Sequence, residues 1–234
     1  TNNGLTGIGS AYTHPGLAHL IIKQQLEPLL IDEDATDLDR LWNCMYRITR
    51  WYGRKGAAMS AIGAIDTALW DLRGKATGKP VWRLLSGKTS RCPAYGSALL
   101  WKDPKELGEE ARTLIDKGFR RVKMRLGRDP VFDEQAVIEV RNAIGKDHDL
   151  MVDGSMRYAP DTARTLADIL EREKCFWLEE PFEPENLSAF AQLRQEVKIP
   201  LAAGENEFGE QGFRELVEAG AVDIVQPDAS RCGG

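Results

Sequence analysis

The chain has 234 residues, 42% of them hydrophobic and 29% charged, with a formal net charge of −5. That length allows one large domain or two, and the composition is that of an ordinary soluble globular protein. The acidic balance and the lack of any Lys/Arg cluster argue against nucleic-acid binding, and no apolar run is long enough to span a bilayer.

In chain order, Thr1 to Ala11 reads as a turn and a short strand, broken by His14-Pro-Gly. Leu17 to Leu30 carries apolar residues at helical spacing. A second helix is expected from about Asp37 to Ile48, with Asp37 or Thr36 as its cap and Leu38, Leu41, Trp42 and Met45 on one face. Ala57 to Leu72 is the most regular helical pattern, dense in Ala and Gly, and Gly78-Lys-Pro ends its extension. Val81 to Leu85 reads as a helical turn. The helical character changes near Lys88 to Cys92, so a domain boundary is expected there, dividing the chain into 1–90 and 91–234.

From that point strand and helix alternate. Strands are expected at Cys92–Ser97, Arg121–Leu126, Leu150–Asp153, Phe176–Glu179, Leu201–Gly204 and Ile224–Pro227. The helices between them are Pro104–Lys117, Phe132–Ile144, Pro160–Glu173, Asn186–Gln195 and Glu210–Ala219. Several of these strands are near-continuous apolar runs, as expected for strands buried on both faces. The pattern predicts an α/β fold, a TIM-type (β/α) barrel with six strands present, preceded by a partial α+β domain. An open six-stranded sheet is the competing architecture, and it would leave unprotected edges. The chain opens inside a turn and closes just after a strand end, so both termini read as cut.

Carboxylates recur at nearly even intervals at the ends of these apolar runs: Asp153, Glu179, Glu205 and Asp228. One such residue alone is usually a helix cap or a solvated loop residue. Three in consecutive βα units would converge on the C-terminal face of a barrel. Without a cation they would repel and raise one another's pKa, so a divalent ion is the economical explanation, and hard oxygen donors suit Mg²⁺. Lys123 and Arg125 alternate inward on the second strand, with Met124 facing the helices. Cysteines 44, 92, 175 and 232 form no CxxC pair, Cys175 reads as a reduced core residue, and a reducing cytoplasm is the default setting.

Five stretches then carry a resemblance: Val122-Lys-Met-Arg-Leu-Gly127, Met151-Val-Asp-Gly-Ser155, Trp177-Leu-Glu-Glu-Pro181, Ala203-Gly-Glu-Asn206, and Val225-Gln-Pro-Asp228 followed by Gly233-Gly234. In order and at one-unit spacing, they resemble the enolase superfamily, mandelate racemase subgroup. The resemblance implies an α+β capping domain in the first third, minus its first strands, and the first six strands of a modified TIM barrel after it. It implies Asp153, Glu179 and Glu205 as Mg²⁺ ligands, with Glu180 pointing the other way from Glu179.

The implied chemistry is removal of the proton α to a carboxylate, which needs a cation to stabilise the developing charge. Arg125 departs from the family's usual second lysine. Arginine stays charged in nearly all settings, so it suits charge neutralisation rather than proton abstraction, and Lys123 can assist it. This argues against a racemase and for a dehydratase making a 2-keto-3-deoxy acid from a sugar acid. Asp228 matches an aspartate that orients a histidine, and none of His14, His19 or His148 is placed to be that histidine. Ser155, Asn206 and Arg231 are candidate substrate contacts; Asn206 or Glu207 can orient the third ligand, and Arg231 can reach a bound acid or Asp228. The resemblance also suggests a homo-oligomer. The alternatives are a racemase, epimerase or cycloisomerase of the same family, or a non-catalytic chain that keeps the fold alone.

Overall fold

The computed structural model of the protein describes residues 1–234. It divides into two compact units, one of residues 1–92, 205–214 and 227–234, the other of residues 93–204 and 215–226.

The first unit is helical. Helix α1 (Pro15–Ile21), a π-helical turn (Ile22–Leu26) and α2 (Glu27–Leu30) replace the single helix expected from Leu17 to Leu30. The reason is Pro28, which has no N–H and would clash with the carbonyl four residues back in an α-helix. The wider turn instead lets Glu27 N–H reach Ile22 O, five residues back. Helix α3 (Leu38–Thr49) starts after Asp37, but that side chain does not cap it. Asp37 Oδ2 accepts from Arg40 Nε at 2.8 Å, and Thr36 Oγ1 donates to Asp34 Oδ1 at 2.8 Å, so neither expected cap forms.

Helix α4 (Ala57–Thr77) is the core of this unit, followed by Gly78 in a left-handed C-cap and by α5 (Val81–Leu84). Met59, Ala61 and Ile62 of α4 pack with Leu26 and Met45, all fully buried. Its small residues admit close neighbours. A side chain at Gly63 would strike Ala229 O and the Gly234 backbone, so residues 229–234 can lie directly against the helix. The strand expected before Ala11 does not form. Its backbone donors go elsewhere: Ile8 N–H to Asp71 Oδ2 at 2.9 Å and Tyr12 N–H to Ser230 O at 2.9 Å.

The second unit is a parallel sheet in the order β1 (Gly96–Ser97), β2 (Arg121–Arg125), β3 (Asp149–Asp153), β4 (Leu178–Glu179), β5 (Leu201–Ala203), β6 (Ile224–Val225). The helices between consecutive strands are α6 (Pro104–Asp116), α7 (Pro130–Ile144), α8 (Pro160–Arg172), α9 (Leu187–Glu196) and α10 (Gly209–Glu218). Sequential neighbours joined through helices are the arrangement of a (β/α) barrel. Asp103 and Glu106 form a capping box on α6, and Asp129 and Asn186 cap α7 and α9 through Phe132 N–H and Ala189 N–H.

The strands are shorter than their apolar runs suggest. Leu99 has a left-handed φ of 57°, which interrupts the ladder after Ser97, although Arg125 N–H still bonds Leu99 O. Around β4 the hydrogen bonds extend past the regular ladder, from Phe176 N–H to Leu150 O through Glu180 N–H to Ala202 O.

Side chains alternate between two layers. Val122, Met124, Leu150, Val152, Leu178 and Leu201 face the helices in one large core. Full burial of each such side chain is worth roughly 1.5–3 kcal/mol. Met151, Trp177 and Ala202, with Tyr95 and Ile224, form a smaller cluster on the other face. Cys175 packs at the edge of the large core, where burial pushes its thiol up to about 12, so it is an inert thiol. No helix is long and apolar enough to cross a membrane.

Candidate metal centre

The sheet register places the chemistry. Arg125 pairs with Asp153, and Asp153 with Glu179, so three ionisable residues stand in one row across β2, β3 and β4. Their side chains share a face because parallel strands in register present equivalent positions alike. Glu205 follows β5 by two residues. Asp153, Glu179 and Glu205 can each offer a carboxylate oxygen with all three within 4.8 Å of one another. Asp153 and Glu179 are buried, at 2% and 1% exposure, and Glu205 is half-buried.

Two cations offset this negative charge. Lys123, one layer along β2, places Nζ 2.5 Å from Glu179 Oε1 and 3.9 Å from Asp153 Oδ2. Burial alone would favour the neutral amine, but the Glu179 and Asp153 charges outweigh it and hold the ammonium above its usual range. The ammonium also lies 5.8 Å from the centre of the Tyr95 ring. Arg125 donates from Nε and Nη2 to Asp153 Oδ2. Asp153 Oδ1 accepts from Ser155 N–H at 2.8 Å and Ser155 Oγ at 3.4 Å, a local turn made possible by the left-handed Ser155 backbone. A cavity of about 110 Å³ lies beside these groups, bordered by Ser97, Lys123, Arg125 and Asp153.

Glu179 has two further partners that sequence reasoning missed. Trp177 Nε1 donates to Glu179 Oε2 at 3.1 Å, and Gln226 Nε2 donates to the same oxygen at 2.9 Å. Trp177 lies two residues before Glu179, just ahead of β4, so period-two alternation carried the signal. Gln226 follows β6 by one residue, and nothing local marks it. Glu180 lies just beyond β4 with a left-handed φ of 35°, is buried, and accepts from Gly204 N–H at 3.3 Å. It braces the end of β5, immediately before Glu205.

The remaining candidates belong to segments of the helical unit. Asp228 caps the one-turn helix α11 (Ala229–Cys232), with Oδ1 accepting from Ser230 N–H at 2.8 Å and Oγ at 2.6 Å. Arg231 does not pair with Asp228. Its Nη2 donates to Asn206 Oδ1 at 2.7 Å, and the guanidinium lies over Tyr12 and Phe208. Cap geometry turns Asp228 onto its own helix, which leaves Arg231 to Asn206. Glu207 is buried and meets Lys55 Nζ at 3.4 Å.

An all-oxygen set of three close carboxylates, free of sulfur and imidazole, fits Mg²⁺, a hard cation usually held through a few carboxylates and waters. Asp153, Glu179 and Glu205 are the residues able to hold it.

Comparison with known proteins accords with this geometry. Residues 106–234 match the model of the enolase C-terminal domain-like family. Residues 1–86 match that of the mandelate racemase / muconate lactonizing enzyme N-terminal domain. The chain is 32% identical over 240 residues to an arabinonate dehydratase of Saccharolobus solfataricus, covering 100% of this chain and 64% of the relative. It is 34% identical over 238 residues to a 3,6-anhydro-alpha-L-galactonate cycloisomerase of Streptomyces coelicolor, covering 100% of this chain and 66% of the relative. Thus it spans slightly less than two thirds of the length of these relatives. A crystal structure of a racemase from Streptomyces coelicolor A3(2) with bound magnesium superposes with a TM-score of 0.94 at 31% identity, covering 100% of this chain and 72% of that one. With both family models matched in order along its length, the chain belongs to the enolase superfamily, in its mandelate racemase subgroup.

Proposed function

We propose that the protein is a Mg²⁺-dependent dehydratase of a sugar acid. The observation that carries this reading is the row Arg125–Asp153–Glu179 with Lys123 beside it, two cations set against a carboxylate cluster that can hold a metal. Asp153, Glu179 and Glu205 hold the ion, which when bound supplies a Lewis acid for the substrate carboxylate. Arg125 neutralises that carboxylate and the charge that develops on it as the α-proton leaves. Lys123, held as an ammonium by Glu179, shares this task. The α-proton passes to a general base, a role that neither Arg125 nor the Lys123 ammonium fills and that falls to the group Asp228 positions. The β-hydroxyl then leaves with a proton as water, and the resulting enol tautomerises to the 2-keto-3-deoxy acid. Asp228 is assigned the positioning of a proton-transfer group, and Ser155, Asn206 and Arg231 the binding of substrate hydroxyls. Residues 1–90 act in this reading as a partial capping domain and 91–234 as the barrel portion, in a homo-oligomer.

A second reading, a sugar-acid cycloisomerase, is favoured by the name of one relative at 34% identity. Incubation of the purified protein with a panel of sugar acids, with and without Mg²⁺, separates the two. A dehydratase yields a product lighter by one water that carries a 2-keto group. A cycloisomerase yields an isomer of unchanged mass. Metal binding without turnover on any acid would leave a non-catalytic chain that keeps the fold.

A further inference from the structure

Glu179 is the most heavily engaged carboxylate of the site, and its two oxygens are treated differently. Oε1 meets Lys123 Nζ alone among the bonds described above, at 2.5 Å. Oε2 accepts from both Trp177 Nε1 and Gln226 Nε2, at 3.1 and 2.9 Å. A carboxylate oxygen has about two lone-pair sites, so these two donors saturate Oε2. The Gln226 amide has one workable orientation, because a flipped amide would set its oxygen against the Glu179 carboxylate. In the orientation observed, Gln226 Oε1 is buried and has no hydrogen-bond partner. Buried amide oxygens are rarely left in that state. The amide is therefore held by what its nitrogen does for Glu179, not by satisfaction of its own two ends. Trp177 is fixed in turn by edge contacts with Tyr95 and Phe176 and by packing on Met151 and Ala202.

We infer that Trp177 and Gln226 are positioning residues that restrict Glu179 to binding a metal through Oε1 alone, and that this restriction selects Mg²⁺ over Ca²⁺. The inference rests on the metal reading proposed above. Mg²⁺ is small and demands near-ideal octahedral geometry, which one oxygen per carboxylate supplies. Ca²⁺ accepts more oxygens and readily takes a carboxylate bidentately. With Oε2 saturated, that second bond is blocked. Partners behind a ligand fix its orientation, and their loss typically costs 10–100-fold in metal affinity.

The test is calorimetric titration of the purified protein with Mg²⁺ and, separately, with Ca²⁺. Trp177→Phe, Gln226→Leu and the double variant are compared with the wild type, and circular dichroism establishes that each is folded. Trp177→Phe keeps the ring contacts and removes the N–H; Gln226→Leu keeps approximate volume and lies outside the buried core. The expected result is a shift of the Mg²⁺ to Ca²⁺ affinity ratio toward Ca²⁺ by about tenfold or more in each single variant. A merely structural role would lower both affinities together and leave the ratio in place. An unchanged ratio in either folded single variant overturns the inference. Wild-type protein that binds neither ion overturns both the inference and the metal reading. Binding with the ratio shift but no turnover would overturn only the dehydratase, and the clamp would stand.

Discussion

Arg125 and Asp153 face each other across β2 and β3, and two guanidinium nitrogens converge on one oxygen: Nε at 3.0 Å and Nη2 at 2.8 Å from Oδ2. A lysine at 125 would keep the charge and lose the paired donation, because its ammonium is a point donor on a flexible stem. Arg125→Lys is expected to lower kcat by about 10²-fold, the scale for a lost donor at developing charge, with the protein still folded and still binding Mg²⁺. Steady-state kinetics beside calorimetry checks this. An unaltered kcat would remove Arg125 from the chemistry.

Lys123 competes with any entering cation for Glu179 Oε1, since its ammonium already lies 2.5 Å from that oxygen. Lys123→Met should therefore separate two properties. Turnover is expected to fall by 10²-fold or more, while Mg²⁺ affinity holds or rises. A loss of metal binding in a folded Lys123→Met protein would mean that the lysine organises the carboxylates instead of opposing the ion.

Asp66 of α4 is buried, and its carboxyl is raised from the usual 3.8 to about 6, chiefly by burial, then by Asp39, against a hydrogen bond from Trp70. Between those two values the folded chain holds more protons than the unfolded one, so stability falls as pH rises through that window and stays low above it. Asp66→Asn removes the ionisation and keeps an oxygen for Trp70. The variant is expected to be more stable than wild type at pH 7 by about 2 kcal/mol, and to differ little at pH 4. Urea unfolding at both pH values is the measurement, and equal effects at the two would contradict the assignment.

Tyr158 donates its hydroxyl to Asp133 Oδ2 at 2.6 Å, and Asp133 also accepts from the Gly127 and Arg128 backbone N–H groups. The carboxylate is almost fully buried, and burial holds it above its usual range. It ties the loop after β2 to the loop after β3, the loop that carries Ser155. Tyr158→Phe is expected to destabilise the protein by about 1–3 kcal/mol, since a buried acceptor loses a partner. Denaturant titration would show it, and a shift within error would mean that the loop is held by other contacts.

The sequence-level expectations succeeded where the signal is local. Apolar runs and the carboxylates that end them located five of the βα units closely, because alternation and helical periodicity act over a few residues. Lys123, Met124 and Arg125 fall on the faces that period-two alternation assigns. Where a distant segment decided, the expectations went astray. The opening segment reads locally as a turn and a short strand, but Ile8 N–H is taken by Asp71 and the following Tyr12 N–H by Ser230. Within Leu17 to Leu30 the helical spacing of the apolar residues hides the break that Pro28 imposes. Nothing local links Gln226 to Glu179, since β5 lies between their strands in the sheet and 47 residues separate them in the chain. Arg231 lay near Asp228 in sequence, whereas the cap of α11 settled its partner as Asn206.

The row formed by Arg125, Asp153 and Glu179 has a consequence for how such a site can change. Its spacing is ruled by backbone ladders between strands, which do not depend on what side chains the row bears. Replacing a residue in the row alters the reagent and leaves the ruler intact. Inserting or deleting one residue within β3 would instead turn Asp153 toward the helices and Val152 toward its neighbours in the row. The same scaffold is thus permissive to exchange and unforgiving of slippage, so divergence in chemistry should accumulate as substitutions on the strands and as length changes only in the loops between them.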